Sequence, residues 1–163
     1  MPALTPEQQA FWDAFRAARG DGVDARFHEA FYFADTQPVA DQLAELVLRG
    51  TKRATAALLW AHEAEGSHPP AAGTYSVVTD FAGTPLAVIE SVEVSILPFE
   101  EVSEAFAFRE GEGDRSLAYW RAVHWRYFAR ECAAIGREPD PRMPVVCESF
   151  VVCWPPEVAD ARA

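Results

Sequence analysis

The fold is organised around one short stretch, residues 46–55, whose sequence is LVLRGTKRAT. Its first three residues complete an amphipathic helix, and Gly50 stands where a left-handed helix cap favours glycine. Two cations and two hydroxyls follow within residues 51–55, and the chain is apolar again over residues 56–60. A polar bend between two rigid apolar segments is a frequent location for functional residues. We therefore take this turn as the first candidate for a site.

Length and composition indicate one folded domain. The chain has 163 residues, and half of them are apolar, which is enough for a full core. We expect a single domain over residues 1–163, in which the tail after the last strand, residues 155–163, is frayed.

Charge and cysteine content exclude several classes of protein. The formal net charge of -11 argues against sequence-independent binding to duplex DNA, although a small basic pocket on an acidic body remains possible. The N-terminus has neither a cationic region nor a long apolar run, so we expect no signal peptide and no membrane span. The three cysteines form no CxxC pair, which predicts free thiols, and we expect a cytoplasmic protein.

Two N-terminal helices follow from capping signals. Thr5 and Gln8 form a capping box for a first helix, which ends at Gly20. Residues 35–38 open a second helix, whereas the aromatic segment 23–34 has no clear periodicity. The inward-facing residues are predicted to be Phe11, Phe15 and Ala18 on the first helix and Leu43, Leu46 and Val47 on the second.

The rest of the chain reads as strands with one long helix. We predict strands over residues 75–79, 86–97 and 145–154, and a helix over 117–135. In the second strand, Val92, Val94 and Ile96 alternate with polar residues, which predicts one buried face. Helices and strands do not alternate regularly, so a doubly wound sheet is disfavoured. The predicted class is α+β, a small and mostly antiparallel β-barrel with N-terminal helices and one long inserted helix packed around it.

The turn carries the first candidate site residues. Lys52 as a point charge and Arg53 as a forked donor would form an anion or nucleotide pocket. The alternative is that both cations cap the last carbonyls of the preceding helix and point to water. Lys52 and Thr55 point the same way if the turn is helical or tightly coiled. A partly buried lysine that loses its proton can activate a neighbouring hydroxyl.

A second candidate is the acidic loop before the long helix. Glu110, Glu112 and Asp114 alternate with glycines there. One interpretation is a solvated loop with one helix-capping residue. The other is a carboxylate that the loop brings to Lys52 as a general acid or base.

Other polar and aromatic residues are candidates for substrate contacts. Arg115 and Ser116 stand at a helix N-terminus, which favours phosphate or ribose, and Trp60 offers a ring for stacking. His124 and Trp120 lie on an apolar helical face, where a place in the core is the stronger interpretation. The remaining histidines lie at no metal-binding spacing, so we predict no metal site; they are His28, His62 and His68.

Several of these segments together resemble a known family. Residues 50–55, GTKRAT, look like the G-x-K-x-x-T turn of the ASCH domain, which is related to PUA domains. Further matching segments are residues 73–78, 89–94, 110–120 and 145–150. The resemblance covers about residues 46–154 and leaves an N-terminal helical extension over about 1–45. It implies a PUA-like β-barrel with the turn at the mouth of a cleft, and a role with RNA or its nucleotides.

The resemblance also implies site residues. Some ASCH proteins are RNA-binding modules, some are ribonucleases, and a smaller bacterial branch hydrolyses the acetyl amide of acetylcytidine. That branch uses a lysine, a threonine three residues later and a glutamate before the later helix, which match Lys52, Thr55 and Glu112. Glu110 or Asp114 are alternatives for the glutamate. This chain differs from that branch in its extra N-terminal helical region and its longer aromatic helix.

We therefore expect a metal-independent, ribonuclease-like hydrolase that acts on RNA or nucleotides without a cofactor. Its catalytic residues would be Lys52, Thr55 and Glu112. Its substrate-binding residues would be Arg53, Trp60, Arg115 and Ser116. The alternatives are an amidohydrolase for an acylated nucleoside such as acetylcytidine, a non-catalytic RNA- or nucleotide-binding module, and a protein-interaction domain.

Partners follow from the same reasoning. We expect single-stranded RNA, a nucleoside or a nucleotide as ligand, and neither duplex DNA nor a membrane. The N-terminal helices offer a face for a homodimer.

Overall fold

Helices surround one five-stranded sheet in the computed structural model, which describes residues 3–161. The helices are α1 (Pro6–Arg19), α2 (Gln37–Leu48), α3 (Leu59–Glu65), α4 (Glu104–Glu110) and α5 (Leu117–Ala134). The strands are β1 (Phe27–Phe31), β2 (Ala54–Leu58), β3 (Tyr75–Thr79), β4 (Pro85–Pro98) and β5 (Pro144–Trp154). Short 3-10 turns cover Asp21–Arg26 and Phe99–Glu101.

The first helix confirms the capping prediction but not every inward residue. Thr5 Oγ1 accepts from the Gln8 amide at 3.1 Å, and Gln8 Oε1 accepts from the Thr5 amide at 3.1 Å. Phe15 is buried as predicted, whereas Ala18 is exposed. Trp12 takes the second buried position because its large ring fills more of the core and its Nε1 donates to Asp24 at 2.7 Å.

The strands run in the order β1-β3-β4-β5-β2. β1 pairs with β3 in parallel, and the other three pairs are antiparallel, which confirms the α+β class and the mostly antiparallel sheet. β1 and β2 lie at the two edges, so within residues 3–161 the sheet stays open and does not close into the predicted barrel. The long strands β4 and β5 pair with each other along most of their length, and parts of them also pair with β3 and β2.

The predicted buried face in the second half of β4 is wrong. Val92 is 48% exposed and Ile96 is 51% exposed. The register between β4 and β5 shifts between Ser91 and Glu93, and the pairing with β3 extends only to Glu90. A bulge re-aims the side chains that follow it, so alternation along the sequence no longer reports which face is covered.

The core and the long helix follow the apolar pattern. α5 buries Trp120, His124, Phe128 and Cys132 on one stripe, and Gly136 at φ +74° follows its end. The cysteines Cys132, Cys147 and Cys153 are buried free thiols, as predicted. In the part of the chain that the structure describes, every helix is too short or too polar to cross a bilayer.

The tail after β5 is held in place, so the predicted fraying is wrong over residues 157–161. Asp160 accepts from Arg53 and from the Val152 amide, the latter at 2.9 Å. The last two residues of the predicted tail, 162 and 163, lie outside the described residues. Residues 1 and 2 also lie outside the described residues. They belong to the N-terminal segment in which we expect no signal peptide.

Candidate active site

The turn between α2 and β2 is fixed by backbone hydrogen bonds. The Thr51 and Lys52 amides both donate to the Leu46 carbonyl, at 3.0 and 3.1 Å, and the Arg53 amide donates to the Arg109 carbonyl at 2.8 Å. Gly50 adopts φ +87°, in the left-handed region predicted for it. The turn is not helical beyond Gly50, and Thr55 lies on β2. Lys52 and Thr55 nevertheless contribute to one cavity.

Lys52 is the fully buried cation of this site. Its Nζ donates to the Ala54 carbonyl at 2.8 Å, to Glu110 Oε1 at 3.0 Å and to Glu112 Oε2 at 3.0 Å. These three acceptors match the three protons of an ammonium group. Burial acts to lower the pKa of Lys52, but the two carboxylates outweigh it and raise the pKa above 10.5. The lysine therefore stays charged, and the interpretation that it loses its proton near neutral pH is wrong.

Glu110 is a fixed, ionised carboxylate. It accepts from Lys52, from Trp120 Nε1 and from His124 Nε2, which lies 3.0 Å away. Burial acts to raise its pKa, but the charges of Lys52 and His124 outweigh burial and lower the pKa well below 4.5. Because every partner stabilises the charged form, this carboxylate positions its neighbours and does not exchange protons near neutral pH.

His124 is held as an imidazolium. Its Nδ1 lies 2.9 Å from the Trp120 carbonyl and its Nε2 lies 3.0 Å from Glu110, and both of these groups only accept hydrogen bonds. Both ring nitrogens must therefore donate. Burial acts to lower the pKa of His124, but Glu110 outweighs it and the pKa is raised above 6.5. The ring also stacks on Trp120, with centroids 4.2 Å apart.

Glu112 differs from Glu110 in both exposure and pKa. Its side chain is 13% exposed and pairs with Lys52. Burial and the neighbouring Glu110 raise the pKa of Glu112 above 4.5 although Lys52 opposes the shift. A carboxyl with a raised pKa next to a fixed cation is suited to general acid–base catalysis. Asp114 is exposed and accepts from the Ser116 amide at 2.9 Å, so it serves the helix start instead.

A glycine allows the acidic loop to approach the turn. Gly111 has φ +74°, and a Cβ at this position would lie 2.5 Å from the Thr51 carbonyl oxygen. Only a residue without a side chain fits against that backbone. The close approach places Glu112 beside Lys52.

The three predicted catalytic residues line one cavity of about 450 Å³. Lys52 comes from the turn, Thr55 from β2 and Glu112 from the loop before α5. Glu110 and His124 line it as well. Its apolar wall includes Phe33, Val39, Leu43 and Val123.

Two of the predicted substrate-binding residues stabilise the fold around the turn. Arg53 makes a forked ion pair with Asp160, at 2.9 and 2.8 Å, and donates to the Val47 carbonyl at 2.9 Å. Arg53 therefore bonds a carbonyl of α2, as the helix-capping alternative predicts, but its guanidinium pairs with Asp160 and does not point to water. Trp60 packs against the core beside α5, and the Arg137 guanidinium lies 4.2 Å from its ring centroid.

The other two predicted substrate-binding residues organise the start of α5. The Arg115 guanidinium lies 3.7 Å from the Phe108 ring centroid, and its Nε donates to the Phe108 carbonyl at 3.0 Å. Ser116 caps α5 by accepting from the Tyr119 amide at 3.1 Å. Among the described residues that line the cavity, Arg53, Trp60, Arg115 and Ser116 are absent.

The sequence interpretation missed the supporting group formed by Glu110, Trp120 and His124. It placed the tryptophan and the histidine in the core, where they do lie, without linking them to the turn. Their four-residue spacing on α5 was the available signal, because it puts both side chains on one helix face.

The same acidic group does not suit a metal ion. Glu110, Glu112 and His124 offer ligand atoms within 4.8 Å of one another. The Lys52 ammonium already lies between the two carboxylates, and a protonated imidazole cannot ligate.

Comparison with known proteins gives concordant results. Residues 29–153 match the sequence model of the ASCH domain. The structure is similar to that of an ASCH domain from Lactobacillus crispatus JV V101, with a TM-score of 0.85 and 35% identity over 93% of this chain and 97% of that one. It is also similar to protein EF3133 from Enterococcus faecalis V583, described under the family model DUF984. There the TM-score is 0.80 and the identity 33%, over 89% of this chain and 86% of the other.

A more distant likeness extends to the fold alone. Hypothetical protein PH0355 shares 12% identity at a TM-score of 0.51, over 78% of this chain and 98% of that one. No curated protein matches the sequence. The family match, the two structures above 30% identity and the turn with its paired acidic loop agree, and the chain belongs to the ASCH domain family, which is associated with RNA binding.

Proposed function

We propose that the protein is a hydrolase that removes an acyl group from the exocyclic amine of a nucleoside. One observation carries the proposal: Lys52, Thr55 and Glu112 come from three segments to one cavity of about 450 Å³, where Lys52 Nζ lies 3.0 Å from Glu112. A cavity of this size suits a small molecule, and its apolar wall beside a few convergent polar groups is typical of a ligand site.

Each residue has a role that its environment supports. Glu112, as carboxylate, takes a proton from a water molecule whose oxygen attacks the amide carbon. The Lys52 ammonium stabilises the negative charge that develops on the amide oxygen, and its raised pKa keeps it charged throughout. Thr55 donates a hydrogen bond that orients the amide.

Proton transfer completes the reaction. As the C–N bond breaks, Glu112 returns its proton to the leaving amine. The products are a carboxylic acid and the unmodified nucleoside. Glu110 contacts no reacting atom in this scheme and holds Lys52 in place. Trp120 and His124 in turn hold Glu110.

The electrostatics favour an amide over a phosphodiester. Two carboxylates lie within 3.0 Å of Lys52 Nζ and outnumber its single positive charge. The His124 imidazolium is paired with Glu110, and the chain carries a net charge of -11. Little positive potential remains to bind a phosphate group inside the cavity. These charges support the amidohydrolase alternative more than the ribonuclease-like one.

A non-catalytic nucleotide-binding module is the second candidate. Arg126 and Arg130 are exposed and contribute to the rim of the same cavity. Guanidinium groups bind phosphate well, so the rim supports contact with a nucleotide outside the catalytic group.

Turnover of acetylcytidine and of a single-stranded oligoribonucleotide, followed by chromatography, tests the proposal. We expect the wild type to deacetylate acetylcytidine and Glu112→Gln to lose about 100-fold or more in kcat, as for loss of a general acid–base. Glu138→Gln, at an exposed glutamate outside the cavity, is the matched control and should keep its activity. Absence of deacetylation by the wild type, or full activity of Glu112→Gln, would overturn the proposal. Nucleotide binding without turnover would favour the second candidate.

A further inference from the structure

A second cavity, of about 280 Å³, adjoins the first. The two cavities share five lining residues, which are Phe33, Ala34, Thr55, Ala56 and Tyr127. Thr55 therefore stands on the boundary between them. A ligand that crosses this boundary would place its amide at Lys52 and its remaining part in the second cavity.

The second cavity differs from the first in charge. Its lining includes the carboxyl groups of Glu29, Glu65, Glu131 and Glu148. Within residues 3–161, its lining contains no lysine and no arginine, whereas the first cavity contains Lys52, Arg126 and Arg130. An anionic group is repelled in this second cavity, and a group that donates hydrogen bonds is favoured.

Glu131, which lines this second cavity, has one oxygen without a partner. Glu131 Oε1 is buried and makes no hydrogen bond within the described residues. Burial, together with the charges of Glu65 and Asp35, raises the pKa of Glu131 from 4.5 to about 7. A buried acceptor without a donor carries a cost in free energy. A ligand hydroxyl would remove this cost once the Glu131 side chain turns towards the cavity.

Glu148 supplies a second carboxyl, which has a hydrogen-bond partner. It is only 7% exposed, and its Oε2 accepts from Ser91 Oγ at 2.6 Å. It pairs across the sheet with Thr55, so it lies next to the boundary between the cavities. The two carboxyls are carried by different elements, Glu131 by α5 and Glu148 by β5.

We propose that the second cavity is the sugar subsite of this hydrolase: Glu131 and Glu148 accept hydrogen bonds from ribose hydroxyls, and the surrounding carboxyl groups reject a 5′-phosphate. This inference rests on the proposed function and narrows its substrate to a free nucleoside. Carboxylates bind ribose hydroxyls in the same manner in dinucleotide-binding folds. The half-buried Phe31 and the Tyr32 ring, which also line the second cavity, offer apolar surface to the sugar carbons.

Three acylated probes test the subsite: acetylcytosine, acetylcytidine and acetylcytidine 5′-monophosphate. We expect kcat/KM for the nucleoside to exceed that for the base and for the monophosphate by about tenfold each, as for a site that hydrogen-bonds substrate hydroxyls. Most of this difference in kcat/KM should come from a lower KM for the nucleoside.

A variant at the unpaired oxygen localises the effect. Glu131→Leu should raise KM for acetylcytidine by about tenfold while KM for acetylcytosine stays unchanged. Its melting temperature should equal or exceed that of the wild type, because a buried group without a partner is removed. Glu138→Leu, outside both cavities, is the control. If Glu131→Leu does not fold, Glu131→Gln should still weaken the discrimination against the 5′-phosphate when measured near pH 9. There the Glu131 carboxyl, with its pKa of about 7, is ionised, and the amide removes its negative charge.

Equal kcat/KM for base and nucleoside would overturn the subsite and leave the proposed function intact. A preference for the monophosphate would also overturn it, because the sugar would then lie towards Arg126 and Arg130. If no probe is hydrolysed, the proposed function fails, and calorimetric dissociation constants for cytosine, cytidine and cytidine 5′-monophosphate decide the subsite. Cytidine must bind tightest of the three, and failure of cytidine to bind would overturn the inference.

Discussion

Two adjacent cations of one turn have different surroundings. Lys52 is fully buried and its Nζ lies 3.0 Å from both Glu110 and Glu112. The Arg53 side chain is 19% exposed and forms a fork with Asp160 near the end of the chain. The compact ammonium group lies between two carboxylates beside a cavity. The planar guanidinium instead joins the end of α2 to the tail through several donors. The Arg53 carbonyl, in turn, accepts from the Phe150 amide of β5.

The difference shows that charge alone does not decide which cation belongs to the proposed site. Both cations have carboxylate partners, but only Lys52 faces a cavity that a ligand can enter. Buried ion pairs are costly to break, whereas partly exposed pairs contribute little individually. We therefore expect changes near Lys52 to have larger effects than changes near Arg53.

The largest effect on stability is expected at Lys52 itself. Lys52→Met leaves Glu110 and Glu112 buried without their cation, which should lower the free energy of unfolding by about 3–5 kcal/mol. Urea denaturation followed by tryptophan fluorescence measures the loss. A loss below about 1 kcal/mol, the range of solvent-exposed pairs, would contradict the expected cost of leaving these two carboxylates buried without a cation.

Two glycines near the turn are expected to differ in how much stability their replacement by alanine costs. Gly111→Ala should cost about 3 kcal/mol, because a Cβ would meet the Thr51 carbonyl oxygen at 2.5 Å and φ is +74°. Gly50→Ala, with φ +87° but its nearest atom 3.7 Å away, should cost about 1 kcal/mol. Thermal unfolding of both variants measures the difference. Equal costs would show that the acidic loop does not press against the turn.

A smaller effect is expected where the tail is anchored. Asp160→Asn weakens the fork with Arg53 and the contact with the Val152 amide, and should cost about 1–2 kcal/mol. Denaturation midpoints give the cost, and limited proteolysis should show earlier cleavage of the tail. An unchanged proteolysis rate would contradict the anchoring role.

The smallest effect is a pH dependence that originates at His124. Its pKa is raised in the folded state, so the native protein holds the proton more tightly than the unfolded chain does. The stabilisation is complete below the unfolded value of about 6.5 and is lost as pH rises through the folded pKa. The stability advantage of the wild type over His124→Gln, measured by urea denaturation, should therefore be larger near pH 6 than near pH 9. An advantage that grows with pH would contradict the charged imidazole.

Local signals in the sequence predicted most elements. The strand at Tyr75–Thr79 has the predicted bounds, and the capping residues Thr5 and Ser116 hold the predicted helix starts. These features depend on neighbours within a few residues, so spacing and residue type suffice to find them. The exposure of Val92 and Ile96 in β4 was not predicted. It depends on a bulge that shifts the register between β4 and β5, which are distant in sequence.

The candidate site was only partly predictable for the same reason. The segments that form the Lys52–Glu110 pair are 58 residues apart, and Arg53 and Asp160 are 107 apart. No local pattern reports such contacts. The choice of Lys52, Thr55 and Glu112 came from a family resemblance, and the structure adds the burial and charge that distinguish Glu112 from Glu110.

The two carboxylates that partner the two cations, Glu112 and Asp160, allow the most direct test of where catalysis occurs. Deacetylation of acetylcytidine and the melting temperature should be measured together for Glu112→Gln and Asp160→Asn. We predict that Glu112→Gln loses about 100-fold or more in kcat while it stays folded, and that Asp160→Asn melts earlier but keeps the wild-type kcat. Equal kcat losses in the two variants, or full activity of Glu112→Gln, would contradict the assignment of catalysis to the Lys52 side of the turn.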